Sequence, residues 1–339
     1  MAVAAPLLVV SFGIILFAAE LFTNGVEWLG LKLGLGHGAI GSVLAAIGTA
    51  MPETLIPVIA IIFVGSADSS DVGIGAILGA PFLLSTAAMS VTGGGVLAYQ
   101  RQRRSGTRMH FEADAIRRDM TVFFAAYVVG ISCSFLPSHP LKDAVAVLLL
   151  LIYGVYAYRT LMGSEAADES EEEMAPLRLH RMMAGAGSPP AWLTWLQAGA
   201  ALALIIGGAY LFVSEMDRVS NALSLPPLLL ALVVAPLATE LPETFNSVIW
   251  VRQSKDTLAM GNISGAMVFQ SCIPVSIGLA FTDWKLTQAA LVSAAIALIS
   301  TGIVYTSIRA RGYLSGHVLA RAGLLWAGFV TYVIIKISI

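Results

Sequence analysis

Two stretches of the chain, TAMPET at Thr49–Thr54 and TELPET at Thr239–Thr244, set a threonine, a proline and a glutamate at identical spacing inside long apolar runs. A carboxylate is an oxygen ligand that hard cations prefer, and hydroxyls and open backbone carbonyls are others. Proline supplies the open carbonyls. It has no N–H, and its ring displaces the carbonyl four residues back, near Gly48 for Pro52 and near Ala238 for Pro242. At membrane depth a freed carbonyl is tolerated only where protein, water or an ion satisfies it. Ca²⁺ takes about six to eight oxygens in a flexible cage. Glu53 and Glu243, with Thr49 and Thr239 one helical turn before them on the same face, would supply such a cage if the two stretches meet. Two carboxylates would also neutralise a divalent charge.

A lone acid in lipid can be a protonated packing group or an interfacial residue. Its cost makes functional use the default reading, and the duplicated motif strengthens that reading. Glu20 and Glu215 differ, because each lies near a predicted helix end, where an interfacial role suffices. Enzyme chemistry is not indicated. There is no Ser/His pair, no histidine cluster and no phosphate loop, and His37, His110, His139, His180 and His317 are scattered. No cofactor is expected beyond the transported and coupling ions. Cys133 and Cys272 are in no metal-ligand spacing and read as small core residues.

The elements that must position these residues are transmembrane helices. Of 339 residues, 57% are hydrophobic and 12% charged, and the mean hydropathy is +0.82, which a soluble domain of this size cannot bury. The net charge of -2 gives no sign of a nucleic-acid partner; the partners expected are inorganic cations and the lipid bilayer. Nothing in the sequence sets an oligomeric state, and a monomer suffices. Ten apolar segments of spanning length fall near 3–23, 38–64, 71–98, 119–137, 141–161, 191–213, 226–251, 257–280, 285–307 and 317–338. No basic residues precede the first, so it is not read as a cleaved leader. Residues 162–190, with Glu165, Asp168, Glu169, Glu171, Glu172 and Glu173, read as a flexible solvated linker.

With an outside N-terminus, only Lys142, Arg218, Lys285 and Lys336 among the basic residues fall on the outer side, so both termini are expected outside an inner membrane. A shift of 190 residues superposes the two Thr-x-x-Pro-Glu-Thr motifs without a gap, and GAILGA at Gly75–Ala80 is echoed by GNISGA at Gly261–Ala266. Five spans separate the copies, so the halves are expected to have opposite orientations. Such inverted repeats mark secondary transporters with a midplane site. The expected organisation is a first five-helix repeat at 1–161, the linker at 162–190, and a second repeat at 191–339. Their motif regions lie at about 38–98 and about 226–280.

GTAMPET and ATELPETFNS, each followed by its Gly-rich helix, resemble the two repeat motifs of the sodium/calcium exchanger family of cation antiporters. The resemblance spans the chain and implies an all-α fold of ten transmembrane helices in two inverted five-helix repeats. It implies exchange of Ca²⁺ or a related divalent ion for Na⁺, at a site built from Glu53 and Glu243 with Thr49 and Thr239. Ala46 and Pro236 would contribute backbone carbonyls. Exchange for H⁺ is the alternative within the class; a cation channel or a non-transporting scaffold is the alternative outside it.

The chain departs from the family pattern at several oxygens. Ala50 and Glu240 stand at two serine positions, Ala80 and Ala266 at two more, and Leu84 and Gln270 at terminal polar positions. Glu240 adds a third carboxylate one turn from Glu243, which over-charges a single divalent ion and favours a shared proton. Alternatively, Glu240 faces away and Na⁺ uses Gln270 and Asn262.

Overall fold

The computed structural model describes residues 4–33, 50–163, 175–183 and 188–338. The described chain is almost entirely helical. Helix α1 spans Ala4–Lys32, α2 Met51–Val64, α3 Ala67–Ala98, α4 Ala113–Ser132 and α5 His139–Gly163. After a short helix α6 at Arg178–Met182 come α7 at Ala191–Leu223, α8 at Pro227–Thr239 and α9 at Leu241–Arg252. Helices α10 at Asp256–Phe281, α11 at Gln288–Arg311 and α12 at Gly316–Ser338 complete the chain.

Among the described residues, 8 helices are long and apolar enough to cross a membrane, with α8 and α9 counted as one. Two of the ten expected spans do not meet that measure. Only the second part of 38–64 is described, as the short apolar α2. Helix α4 has spanning length but carries Asp114, Arg117, Arg118 and Asp119 in its first two turns.

Helices α1 and α7 run about nine residues beyond their expected ends, to Lys32 and Leu223. Glu20 and Glu215 therefore lie well inside helices, not at the ends the sequence suggested. Glu20 is exposed and ion-paired with Arg178, whereas Glu215 is buried and paired with Arg218 at 2.8 Å. The linker also departs from expectation. Its acidic run lies outside the described residues, but 175–183 is docked on α1 and α7. Asn24 donates to the Ala175 carbonyl and accepts from the Arg178 amide, and the Gln197 side chain bridges Asn24 and the Leu179 amide.

Hydropathy alone does not separate lipid-facing from central helices, but burial does. Of the most apolar window of α3, 94% is buried, against 17% for α5 and 22% for α1 and α12. Small residues let α3 sit at the centre. A Cβ at Gly75 would come within 2.6 Å of the Leu228 carbonyl, and one at Gly79 within 2.3 Å of the Leu232 carbonyl, so α8 packs directly on the α3 backbone.

The helix pairs form a pattern that interchanges the two halves. Helix α1 packs on α7. Helix α3 packs on α8, and α10 on α2. Helix α3 also meets α11 and α12, as α10 meets α4 and α5. At one end of the bundle the buried Arg103 guanidinium pairs with Asp256 at 2.8 Å and donates to the Val251 carbonyl. There a two-residue strand β1 (Arg108–Met109) pairs antiparallel with β2 (Leu314–Ser315).

Candidate functional site

Both proline motifs open a helix in the same way. At Ala50 the backbone takes φ -80° and ψ 0°, and at Glu240 φ -93° and ψ -3°, the sparsely populated bridge region between helix and strand. A new helix starts at the next residue, Met51 or Leu241, so Pro52 and Pro242 each occupy the second helical position, where no N–H is needed. Pro242 thus lies just after the junction at Glu240 where α8 ends and α9 begins.

The expected common helical face for Thr239 and Glu243 does not form. Thr239 ends α8 and Glu243 opens α9. Equivalent threonines brace the two helix starts. The Thr54 hydroxyl donates to the Ala50 carbonyl at 2.9 Å, and the Thr244 hydroxyl to the Glu240 carbonyl at 2.7 Å. Glu53 and Glu243 each stand in the first turn of their new helix, at the positive end of its dipole.

Glu53, Glu240 and Glu243 converge. One carboxylate oxygen from each lies within 4.8 Å of the others, and all three residues are buried. Gln270, from α10, donates its side-chain amide to Glu240 Oε1 at 3.1 Å. Glu240 therefore faces the cluster, not away from it. Glu53 Oε2 and Glu243 Oε2 are buried with no hydrogen-bond partner. Among the described residues no Lys or Arg forms an ion pair with any of the three.

A cavity of about 10 Å³, close to the room one water needs, lies beside Glu53 and is walled by Ala76, Ala80, Ala235, Pro236 and Thr239. Ala80 stands there as a methyl where the family pattern has a hydroxyl. The Pro236 carbonyl accepts the Glu240 amide at 2.9 Å, which leaves it one lone pair for another partner. Thr49 and Ala46, the remaining expected ligands, lie outside the described residues.

Asn262 has a different place from the one the sequence suggested. Its side chain donates to the Glu243 backbone carbonyl at 3.1 Å and holds the start of α9 against α10. Ser247, which the sequence reading passed over, does the same work from the other side. Its hydroxyl lies 2.9 Å from the Glu243 carbonyl and 3.2 Å from the Ala259 carbonyl. Its position four residues after Glu243, on the same helical face, was the available signal.

Two ionised carboxylates within 4.8 Å of each other repel by at least about 3 kcal/mol at an effective dielectric constant near 20. Three such groups with two unpartnered oxygens favour a cation or protons between them. Three oxygens all within 4.8 Å of one another share a point no more than about 2.8 Å from each, which a small closure brings to Ca²⁺–oxygen bonding distance.

The chain matches the family described as "Sodium/calcium exchanger protein" over residues 3–162 and 193–337. It belongs to that family. Among its relatives, the inner membrane protein YrbG of Escherichia coli (strain K12) is 22% identical over 290 residues, 86% of this chain and 83% of that protein. The H⁺/Ca²⁺ exchanger CAX shares the fold with a TM-score of 0.72 at 16% identity, over 99% of this chain and 84% of that one. The sodium-calcium exchanger NCX_Mj does so with a TM-score of 0.59 at 16% identity, over 97% and 98% of the two chains. This exchanger-family member is a multi-pass membrane transporter and not an enzyme. Its family moves inorganic cations.

Proposed function

We propose that the protein is a secondary-active antiporter that moves Ca²⁺, or a divalent ion of similar size, through a site made by Glu53, Glu240 and Glu243. The observation that carries the proposal is the meeting of these three buried carboxylates, two with unpartnered oxygens, at the starts of α2 and α9. Thr239 and the Pro236 carbonyl adjoin them and extend the oxygen set. An all-oxygen set of carboxylates, a hydroxyl and a carbonyl is the donor chemistry that Ca²⁺ takes. The small enclosed cavity supports an occluding carrier over an open channel.

The exchange of helix partners between the halves, together with the duplicated motif, supports two inverted five-helix repeats of ten spans in all. The acidic linker would lie between them, on the cytoplasmic side of an inner membrane. Both termini would then face outward, as the distribution of basic residues favours.

Glu240 favours H⁺ as the coupling ion, because a third carboxylate in the cluster gives protons a place to compete with the divalent ion. Coupling to Na⁺ is the second reading, supported by the Thr239 hydroxyl beside Glu53, an oxygen a monovalent ion can use.

Uptake of radiolabelled calcium into proteoliposomes under separately imposed H⁺ and Na⁺ gradients tests both readings. Uptake driven by a pH gradient alone supports proton coupling. Uptake that responds fully to Na⁺ and is flat between pH 6 and 8 rejects it in favour of Na⁺. Passive, gradient-independent flux rejects the antiporter.

A further inference from the structure

Away from the carboxylate cluster, a groove of about 380 Å³ opens between α4 and α5. Its floor and sides are apolar, formed by Val122, Leu148, Leu151, Ile152 and Val155, and one end is flanked by Arg118 and Arg159. Leu148, Leu151 and Val155 are exposed. Helices α4 and α5 run in opposite directions. Arg118 near the start of one and Arg159 near the end of the other therefore lie at the same end of the bundle, the end that also carries the basic loop after α3.

The Arg118 guanidinium is oriented for an anion, and Arg159 supplies a second charge. Arg118 lies 5.6 Å over the Tyr156 ring, with Nη2 3.4 Å from Asp119 Oδ1. The Asp119 carboxylate draws on other donors, the Ser264 hydroxyl at 2.7 Å and the Tyr156 hydroxyl at 3.0 Å, so it orients Arg118 without consuming its remaining N–H groups. Arg159 is exposed, with no ion-pair partner among the described residues. It lies three residues after Tyr156, on the same face of α5. Arginine donors in this arrangement match a phosphate's oxygens, and two charges exceed what Asp119 alone neutralises.

The groove's length fits a lipid. From Leu148 to Arg159 along α5 is about 16 Å, close to half of a hydrocarbon core of about 30 Å. A free phosphate or a soluble anion would leave the apolar part unused.

We propose that this groove is a binding site for one anionic glycerophospholipid. Its phosphate would lie between Arg118 and Arg159 and an acyl chain along Val122, Leu148, Leu151 and Val155. The proposal does not depend on which ion the protein transports.

The test is native mass spectrometry of the full-length protein in detergent. It is titrated with dioleoyl phosphatidylglycerol, with dioleoyl phosphatidylcholine of the same acyl chains, or with glycerol phosphate. One retained phosphatidylglycerol, preferred over phosphatidylcholine, is the expected result. Arg159→Gln or Arg118→Gln should each lower that preference roughly fivefold. Arg311→Gln, an exposed charge elsewhere, should leave it unchanged.

Val155→Trp, which fills the groove and keeps every charge, should weaken retention of both lipids. It also serves if Arg118→Gln does not fold. Equal retention of the two lipids, an undiminished preference in Arg159→Gln, or glycerol phosphate binding as tightly as phosphatidylglycerol would each overturn the proposal.

Discussion

The Gln270 side-chain amide of α10 donates to Oε1 of Glu240, the residue at the junction of α8 and α9, at 3.1 Å. This contact aims a carboxylate that has replaced a family serine into the same space as Glu53 and Glu243. Gln270→Ala should release Glu240 and lower divalent affinity in transport assays. Gln270→Glu should crowd a fourth carboxylate into the cluster and leave transport measurable only at lower pH. Equal pH profiles for Gln270→Glu and the wild-type protein would show that the two side chains do not act together.

Glu53→Gln and Glu243→Gln keep the side-chain shape and remove a charge from the cluster. Each is expected to reduce radiolabelled calcium uptake in proteoliposomes by more than about 100-fold, with unchanged elution on size exclusion. Both residues carry an unpartnered buried oxygen, so losing the charge should not destabilise the fold. A variant with near-normal uptake would remove that residue from the site.

Glu240→Ser restores a family hydroxyl and leaves two carboxylates for the divalent ion. In the proposed antiporter protons compete with the ion for the three carboxylates, so uptake should fall as external pH drops from 8 to 6. That fall should be shallower in Glu240→Ser. A slope equal to the wild-type slope would mean that Glu240 takes no part in proton competition.

Gly79→Ala places a Cβ 2.3 Å from the Leu232 carbonyl and 2.5 Å from Pro236 Cγ, so α8 must shift. The expected cost is about 1–3 kcal/mol of stability, seen as a lower Tm, with reduced uptake because Pro236 borders the cavity. Gly94→Ala, where nothing lies within 4 Å of the added carbon, should leave both unchanged.

Arg103 and Asp256 form a buried ion pair that ties the loop after α3 to the start of α10. Asp256→Leu alone leaves the guanidinium uncompensated and should cost about 3–5 kcal/mol. The double variant Arg103→Met with Asp256→Leu should recover part of that loss in thermal unfolding. A double variant no more stable than the single one would place the stabilisation in the Arg103 contacts to backbone carbonyls.

The proposed sidedness of the bundle rests on its basic residues. In a background lacking Cys133 and Cys272, Gln102→Cys on the exposed loop after α3 should resist a membrane-impermeant thiol reagent in intact cells and react after permeabilisation. Labelling of intact cells would reverse the orientation.

The sequence by itself determined the class and the residues at stake. Composition required lipid-facing helices, and the recurrence of Thr-x-x-Pro-Glu-Thr singled out Glu53 and Glu243, because apolar periodicity cannot account for an acid after a proline in lipid. The tertiary structure decided the rest. Only close packing could bring oxygens 190 positions apart within 4.8 Å and turn Glu240 inward through Gln270 from another helix. Helix ends were also beyond the sequence. Glu20 and Glu215 looked terminal by hydropathy, yet α1 and α7 continue past them, and each glutamate is held by an arginine, Arg178 or Arg218. Burial of α3 was equally hidden, since lipid and protein interior are alike in polarity and only the approach of α8 at Gly75 and Gly79 separates them.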